Sequence, residues 1–319
     1  VPDRHDVVEL LAQTLSLADG SRCRHTVQHM HQNVNPPSRN RQRSVRAGAR
    51  ASPLASKRTP SVPDPGGVRL RQTGGMDWPG APTPIPTVTR VQMEEIDRIM
   101  VDELGIELLQ MMENAGANLA RLARERFSPT HVLVTAGTGG NGGGGLVAAR
   151  HLHNAGIPVT VVTTRAPDAY QGVPAHQLGI VDRMGIPVGD RVPAGGTADP
   201  PIDLVIDALI GYSLEGQASG RAAELIDLID GMAAPILSLD TPSGVDVSTG
   251  QALGACVRAT ATLTLALPKT GLVGSPLVGE HYLADISVPA DLYVEIGAAA
   301  GAQVDPLFGA GPILRVNPT

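Results

Sequence analysis

The sequence predicts an α/β fold built around a parallel β-sheet, and two observations support this prediction. From residue 131 onward, short apolar segments alternate with longer segments that have helical periodicity. Strands that alternate with helices imply parallel pairing through right-handed crossover connections. Hydrophobic residues make up 42% of the 319 residues, which is enough for a packed core and excludes a wholly disordered chain.

The predicted domain opens with two helices. Thr89 and Gln92 have the spacing of a capping box, in which the glutamine side chain reaches back to the amide of the cap residue. Apolar residues at helical spacing follow within 90–100 and again within 106–127. Five strands are then predicted at 131–135, 158–163, 203–206, 235–239 and 259–266, with helices near 145–155, 173–184 and 220–232.

Composition divides the chain into three parts. Residues 1–86 contain 11 of the 27 prolines and several arginine-rich runs, so they are predicted to be a disordered basic tail. Residues 87–297 are predicted to form the folded domain, and 298–319 a loop-rich C-terminal tail. The charge is divided similarly, because residues 1–75 carry 12 basic and 5 acidic side chains and the remainder 13 basic and 26 acidic.

The composition also argues against several classes of function. An acidic folded part does not suit duplex nucleic acid, which proteins bind mainly through its phosphates. Cys23 and Cys256 are the only cysteines, so a disulfide scaffold is excluded and a reducing, cytoplasmic location is expected. The sequence has no stretch of 18 apolar residues, and its opening segment lacks the form of a signal peptide, so no membrane association is expected.

Glycine-rich loops follow the predicted strands at the edge of the sheet where α/β folds bind ligands. The first loop contains Gly137, Gly139 and Gly142 in a G-x-G-x-x-G pattern, which suits a pyrophosphate, although such turns also serve packing. Arg165 follows the second strand, where NAD-binding folds usually carry an acidic residue. This residue argues against ordinary NAD binding, but it is compatible with the binding of a phosphorylated dinucleotide.

Polar residues follow three of the later predicted strands. Asp207 and Asp240 each end an apolar strand, where an aspartate can serve a ligand or cap the following turn. Lys269 is the only lysine after residue 75, in a segment with 12 arginines, so its ammonium is either needed for function or retained by chance. Ser243 lacks the G-x-S-x-G context of a hydrolase nucleophile, and no histidine falls in these loops, so a Ser-His-Asp hydrolase is not expected.

These loops together resemble the NAD(P)H-hydrate epimerase family, also called the YjeF N-terminal domain family. The order and spacing of the family motifs hold over about 88–296, in the segments 112–116, 137–150, 207–211, 239–246 and 267–272. The resemblance implies a Rossmann-like three-layer sandwich with a mainly parallel sheet. It implies an isomerase that interconverts the R and S epimers of hydrated NADH and NADPH, called NADHX and NADPHX.

The resemblance also implies partners for this activity. A separate ADP- or ATP-dependent dehydratase repairs the S epimer, and some bacterial members carry it fused at the C-terminus. This chain ends about 23 residues after the matching domain, so the dehydratase is expected to be another polypeptide. A homodimer is a possible assembly.

Residue roles follow from the same resemblance. Substrate contacts are implied at Gly140, Asn141, Gly142, Gly143, Gly144, Gly211, Tyr212, Ser213, Leu214, Glu215, Gly216, Gln217 and Asp240. Asp240 would be the catalytic acid, and Lys269 would orient a substrate group or balance charge. A potassium ion would be held by Asn141, Asp207 and Ser243, whose oxygen atoms suit a hard cation.

Two departures from the family pattern leave other functions open. The family usually has Asn-Asn-Gly-Gly-Asp-Gly in the first loop, where this chain has Gly-Asn-Gly-Gly-Gly-Gly over 140–145. The second loop usually reads Gly-Thr-Gly-Leu, where this chain has Gly-Tyr-Ser-Leu over 211–214. A carboxylate lost without replacement would weaken substrate or ion binding by about 1–3 kcal/mol. The alternatives are a non-catalytic nucleotide- or protein-binding member of the same fold and an NADP-dependent oxidoreductase.

Overall fold

A sheet of eight strands forms the centre of the protein. The structure is a computed structural model, and it describes residues 77–193, 200–298 and 306–316. The strands are β1 Val132–Ala136, β2 Val159–Thr163, β3 Val188–Gly189, β4 Leu204–Ala208, β5 Ile236–Leu239, β6 Ala261–Leu265, β7 Glu280–Ala284 and β8 Ile313–Arg315. Their order across the sheet is β3-β2-β1-β4-β5-β6-β7-β8. All neighbours pair in parallel except β7 and β8, which are antiparallel.

Helices connect most of the strands. They are α1 Arg90–Arg98, α2 Leu108–Leu122, α3 Gly140–Asn154, α4 Gly172–Arg183, α5 Gly220–Asp230 and α6 Ala290–Glu295. α1 and α2 each continue into a π-helical turn, Ile99–Glu103 and Ala123–Phe127, and a 3₁₀ turn spans Pro167–Ala169. The predicted capping box starts α1, because the Gln92 amide donates to Thr89 Oγ1 at 3.2 Å and the Thr89 amide donates to Gln92 Oε1 at 2.9 Å.

Apolar side chains of the strands alternate between two faces of the sheet, and helices cover both faces. On one face, Val132 and Val134 pack in a core with Leu146 of α3. On the other, Leu133 packs in a core with Leu225 of α5. The result is the predicted three-layer α/β sandwich. Within the described ranges, no helix combines the length and the apolar character that crossing a bilayer requires.

Helix α3 begins at Gly140, five residues before its predicted start near 145. Its first glycines pack against neighbouring residues and do not form a loop. A Cβ on Gly142 would lie 1.8 Å from the carbonyl oxygen of Gly137, and one on Gly143 would lie 2.4 Å from Met112 Sδ. A side chain at Gly142 would therefore collide with the backbone, and one at Gly143 would force the Met112 side chain to move. Tertiary packing therefore overrides the low helix propensity of glycine here.

Some residues that were predicted from composition to belong to the two tails pair and pack at the edge of the sheet. Arg315 of β8 donates its amide to the Pro79 carbonyl at 2.8 Å, and its own carbonyl accepts from the Ala81 amide at 2.8 Å. Trp78 is buried against Tyr282 of β7, with ring centroids 6.0 Å apart and planes 75° apart. Folded structure therefore extends past the boundaries predicted at 86 and 298.

These edge segments are too short to have a periodicity of their own. Residues 77–81 pair with β8, and β8 pairs with β7, so segments that are far apart in the sequence hold one another in place. A local sequence pattern cannot reveal such contacts. The rest of the predicted basic tail, residues 1–76, lies outside the described residues.

Removing the indole of Trp78 should destabilise the fold. Trp78→Ala is expected to lower the free energy of unfolding by about 3 kcal/mol, because it leaves a cavity against Tyr282. Trp78→Phe keeps an aromatic ring there and should lose clearly less. Urea denaturation followed by circular dichroism measures both values. Equal stability of Trp78→Ala and the wild type would mean that this segment does not belong to the core.

Candidate active site

A cavity of about 590 Å³ opens at the carboxyl ends of the strands, which is the edge where the sequence predicts a ligand site. Its walls come from the loops after β1, β2, β4, β5 and β6 and from helices α1 and α2. Eight residues predicted for substrate contact or catalysis line it: Gly140, Asn141, Gly144, Gly211, Tyr212, Ser213, Asp240 and Lys269. The structure thus brings together residues that are far apart in the sequence.

Other predicted contact residues lie outside the cavity wall. They are Gly142, Gly143, Leu214, Glu215, Gly216 and Gln217. The two glycines are buried inside α3, where they serve packing. Glu215 has a side chain that is 78% exposed and forms an ion pair with Arg90 at 2.7 Å. The second loop therefore contributes its first residues, 211–213, to the cavity.

Asp240 begins the turn after β5 in a left-handed conformation, with φ of 66°. This conformation is uncommon for residues other than glycine, although aspartate and asparagine adopt it more readily than most. Its Oδ2 accepts from the Tyr212 amide at 3.1 Å, and its Oδ1 accepts from the Leu265 amide at 3.4 Å and from Lys269 Nζ. Backbone and side-chain donors therefore fix this carboxylate at the cavity wall.

Lys269 forms a buried ion pair with Asp240. Its side chain is 1% exposed, and Nζ also donates to the Leu265 carbonyl at 3.1 Å. The loop that carries it is held by Val88, whose amide donates to Pro268 O at 2.9 Å and whose carbonyl accepts from the Thr270 amide at 3.0 Å. A buried ammonium needs such partners because its desolvation is costly.

Tyr212 contacts both this ion pair and the carboxyl group of Asp97, a cavity residue that was not predicted from the sequence. Its ring lies 5.5 Å from Lys269 Nζ, and its hydroxyl donates to Asp97 Oδ2 at 2.6 Å. Asp97 comes from α1 and lines the cavity. A signal for it exists in the sequence, because Asp97 lies four residues after Met93 and therefore on the buried face of an amphipathic helix.

Burial sets the protonation of this second carboxyl group. It raises the pKa of Asp97 above its ordinary value, and the hydrogen bond from Tyr212 and the charge of Lys269 offset part of that rise. Burial and the neighbouring Asp97 carboxylate also raise the pKa of the Tyr212 phenol, which therefore keeps its proton. The cavity accordingly holds two carboxyl groups in different surroundings, a pattern that is typical of acid–base sites.

Asp207 and Ser243, two of the three predicted potassium ligands, lie fully buried beneath the cavity. Asp207 Oδ1 accepts from Ser243 Oγ at 2.6 Å and from the Leu209 amide at 3.3 Å. Its Oδ2 accepts from Ser238 Oγ at 2.8 Å and from the Ser243 amide at 2.9 Å. Burial raises the pKa of Asp207, and these hydrogen bonds act in the opposite direction.

The third predicted potassium ligand, Asn141, lies in the first turn of α3. Its side chain approaches Gly211, and its Nδ2 is buried without a hydrogen-bond partner among the described residues. No cluster of three histidine, cysteine or acidic side chains suited to a metal occurs in the part of the chain that the structure describes. An ion at these three residues would therefore have one carboxylate, one amide and one hydroxyl oxygen as side-chain ligands.

Positively charged side chains and helix N-termini also line the cavity. Arg165 and Arg221 line it, together with the first residues of α3 and α5. The N-cap residues, Gly139 and Ser219, provide no side-chain cap, so amides of both helix N-termini are left for other acceptors. Helix N-termini and arginines both favour phosphate. The segments after β1, β2 and β4 thus supply these cationic groups and helix N-termini, whereas the carboxyl groups come from the turn after β5 and from α1.

Comparison with known sequences agrees with this geometry. The family described as "YjeF-related protein N-terminus" matches residues 108–271. The chain is 48% identical to an NAD(P)H-hydrate epimerase of Dehalogenimonas lykanthroporepellens, over 67% of this chain and 86% of the relative. It is 34% identical to an NAD(P)H-hydrate epimerase of Truepera radiovictrix, over 72% of this chain and 100% of the relative.

Longer relatives and a solved structure complete the comparison. The chain is 39% identical to the bifunctional NAD(P)H-hydrate repair enzyme Nnr of Thermofilum pendens, of which it covers 41%. The crystal structure of yeast ynu0 (YNL200c) superposes with a TM-score of 0.62 over 72% of this chain and 99% of that one. At 23% identity, that structure bears on the fold alone. The sequence relatives and the shared loops establish that this chain belongs to the YjeF-related N-terminal family.

Proposed function

We propose that the protein is an NAD(P)H-hydrate epimerase, an isomerase that interconverts the R and S forms of hydrated NADH and NADPH. The observation that carries this proposal is the buried Asp240–Lys269 pair, which lines a cavity at the carboxyl edge of the sheet. The names of the curated relatives support the same activity.

The groups that line the cavity suggest how the substrate lies in it. We place the pyrophosphate at one end of the cavity, beside Arg165 and the N-termini of α3 and α5, which offer guanidinium and amide donors. The hydrated nicotinamide ring then lies at the other end, against Asp240 and Lys269. The volume of about 590 Å³ falls within the range of small-molecule sites.

The chemistry requires proton transfer and no oxidation. The bond between C6 of the ring and its hydroxyl breaks, the hydroxyl leaves as water after gaining a proton, and the lone pair of the ring nitrogen stabilises the cation. Water then adds to the opposite face and gives up a proton. The donors that fix Asp240 at the cavity wall support a role for it in exchanging that proton, and such general acid–base help contributes about 10² to 10⁴ in rate. Lys269 balances the charge of Asp240.

Incubating the purified protein with a single epimer, followed by chromatography, tests the activity. Conversion to a mixture of both epimers well above the rate without protein is expected. A non-catalytic nucleotide-binding protein would bind the dinucleotide and leave the epimer ratio unchanged. An NADP-dependent oxidoreductase would instead transfer hydride to an acceptor, which the absorbance of the reduced nicotinamide would reveal.

We also propose that the site uses a potassium ion at Asn141, Asp207 and Ser243. The unpartnered amide of Asn141 supports this, because rotation of the amide group places its oxygen where the nitrogen now lies. The Ser243 hydroxyl can likewise turn its proton away and present a lone pair. A bound cation would offset the desolvated charge of Asp207 and the charge of a nearby pyrophosphate.

Asp207→Asn should abolish any stimulation of epimerisation by potassium, because it removes the anionic ligand while keeping the size of the side chain. Ser238→Ala is the matched control, since Ser238 also contacts Asp207 but is not a proposed ligand. Rates in potassium chloride and in choline chloride of equal ionic strength measure the effect. A potassium response in Asp207→Asn equal to that of the wild type would contradict this ion site.

We further propose that a dehydratase consumes the S epimer that this protein supplies. The relatives named bifunctional repair enzymes support this link, since the present chain matches only 41% of their length. Self-association into a homodimer stays a prediction, which sedimentation analysis of the purified protein would check.

A further inference from the structure

Asp97 takes no part in the ion pair of the proposed site, yet it lines the same cavity. It lies on the inward face of α1, between the buried residues Ile96 and Met100. An acidic residue on the buried face of an amphipathic helix is destabilising unless it has a partner or a function. Among the residues that the structure describes, its side chain has one hydrogen-bond partner, the Tyr212 hydroxyl, at 2.6 Å.

The surroundings of Asp97 differ from those of Asp240. The charged and titratable groups that influence Asp97 are Tyr212, Lys269, Asp240 and Glu94, of which Lys269 alone is cationic. Lys269 makes its ion pair with Asp240 and not with Asp97. Burial therefore raises the pKa of Asp97, which favours its protonated form. Asp240, with an ammonium and two amides as donors, has the surroundings of a proton acceptor.

Tyr212 connects the two carboxyl groups from its opposite ends. Its amide donates to Asp240, and its hydroxyl donates to Asp97. The two carboxyl groups therefore contact different ends of one tyrosine, and both line the cavity. Two carboxyl groups placed apart in this way serve opposite faces of a sugar ring in inverting glycosidases, where one donates a proton and the other accepts one from water.

We propose that Asp97 is the second acid–base group of this site, serving the face of the substrate ring opposite Asp240, with Tyr212 as the residue that positions it. This proposal rests on the proposed epimerase activity and adds a group to it. Two groups are needed because the hydroxyl leaves from one face and water returns to the other.

These two carboxyl groups account for every proton that moves in the reaction. The Asp97 carboxylic acid gives its proton to the departing hydroxyl, the C–O bond breaks with its electron pair on oxygen, and the ring nitrogen lone pair forms a C=N bond. Water then adds to the opposite face, its proton passes to the Asp240 carboxylate, and the nitrogen recovers its lone pair. The proton returns from Asp240 to Asp97 through water in the cavity, and the reverse reaction exchanges the two roles.

Asp97→Asn tests the proposal, because asparagine keeps an oxygen that accepts from Tyr212 and cannot donate a carboxyl proton. We expect kcat to fall by about 10²-fold or more, the scale of one general acid–base group. KM should stay within about threefold, since the change affects the chemical step rather than binding. Glu95→Gln, on the same helix and paired with Arg98 outside the cavity, is the control and should keep the wild-type rate.

Tyr212→Phe gives an independent readout that a structural role would not affect. It keeps the ring beside Lys269 and the amide on Asp240 but removes the hydroxyl that lowers the pKa of Asp97. The pKa of Asp97 should then rise. Because the reaction needs the protonated form, the fall in rate on the alkaline side should move to higher pH. In Asp97→Asn the fall in rate at alkaline pH should be absent.

The outcomes separate this proposal from the epimerase activity itself. A wild type that interconverts epimers, together with a folded Asp97→Asn variant whose kcat is within threefold of it, would overturn the role of Asp97 alone. A wild type without epimerase activity would overturn both. If Asp97→Asn does not fold, Tyr212→Phe decides, and a pH profile that superposes on the wild-type profile would reject the proposal.

Discussion

Asp240→Asn is expected to slow epimerisation by about 10²-fold or more, because the variant cannot carry the transferred proton. Asparagine suits the backbone, since it tolerates the left-handed φ of 66° about as well as aspartate. It also keeps one oxygen for Lys269, which retains the Leu265 carbonyl as a second acceptor. The variant should therefore fold and bind the dinucleotide.

The same preparation should be used for melting temperature, nucleotide binding and epimer interconversion. Asp227→Asn, an exposed aspartate on α5 outside the cavity wall, is the matched control and should behave as the wild type. If Asp240 only shapes the turn after β5, the variant would lose about 1 kcal/mol of stability and keep its rate. Wild-type turnover in a stable Asp240→Asn protein would assign the catalysis to another residue.

Lys269→Met is expected to lower the free energy of unfolding by about 3–5 kcal/mol, because it leaves the buried Asp240 carboxylate without its cation. Arg258→Met is the contrast. It breaks the ion pair with Asp230, in which the arginine side chain is 73% exposed, and should cost less than about 1 kcal/mol. Urea denaturation of both variants measures the difference.

Adding Asp240→Asn to Lys269→Met removes the unpaired charge as well as its partner. The double variant should recover much of the lost stability, and the difference between its effect and the two single effects gives the coupling of the pair. Additive losses would mean that Asp240 and Lys269 stabilise the fold independently. Neither single variant nor the double variant should epimerise at the wild-type rate.

The strand-end positions of the site were accessible from the sequence for a physical reason. Short apolar runs predict buried parallel strands, and the carboxyl ends of such strands meet at one edge. Asp240 and Lys269 follow two of these strands, and the structure places them in one ion pair at that edge. Spacing could predict that they share an edge, but not that the lysine is buried against the aspartate.

Two other features depended on contacts that no local pattern contains. Asp97 reaches the cavity because α1 packs over the sheet edge, and its sequence neighbours give no sign of the Tyr212 hydroxyl that it accepts from. β8 completes the sheet beside β7, and Trp78, which is far from both strands in the sequence, packs against Tyr282 of β7. The start of α3 was missed for a related reason, because its glycines become helical only when α2 and the β1 loop pack against them.

Labelling with oxygen-18 water tests whether the protein inverts its substrate by breaking and re-forming the C–O bond of the ring. If the site breaks the C–O bond and adds water to the other face, each inversion incorporates one oxygen from solvent. A single epimer incubated with the protein in oxygen-18 water should therefore give the opposite epimer with the heavy isotope in its ring hydroxyl, as mass spectrometry after chromatography would detect. Asp240→Asn and a sample without protein set the background rate. Inversion without incorporation of solvent oxygen, or no inversion above that background, would contradict the account.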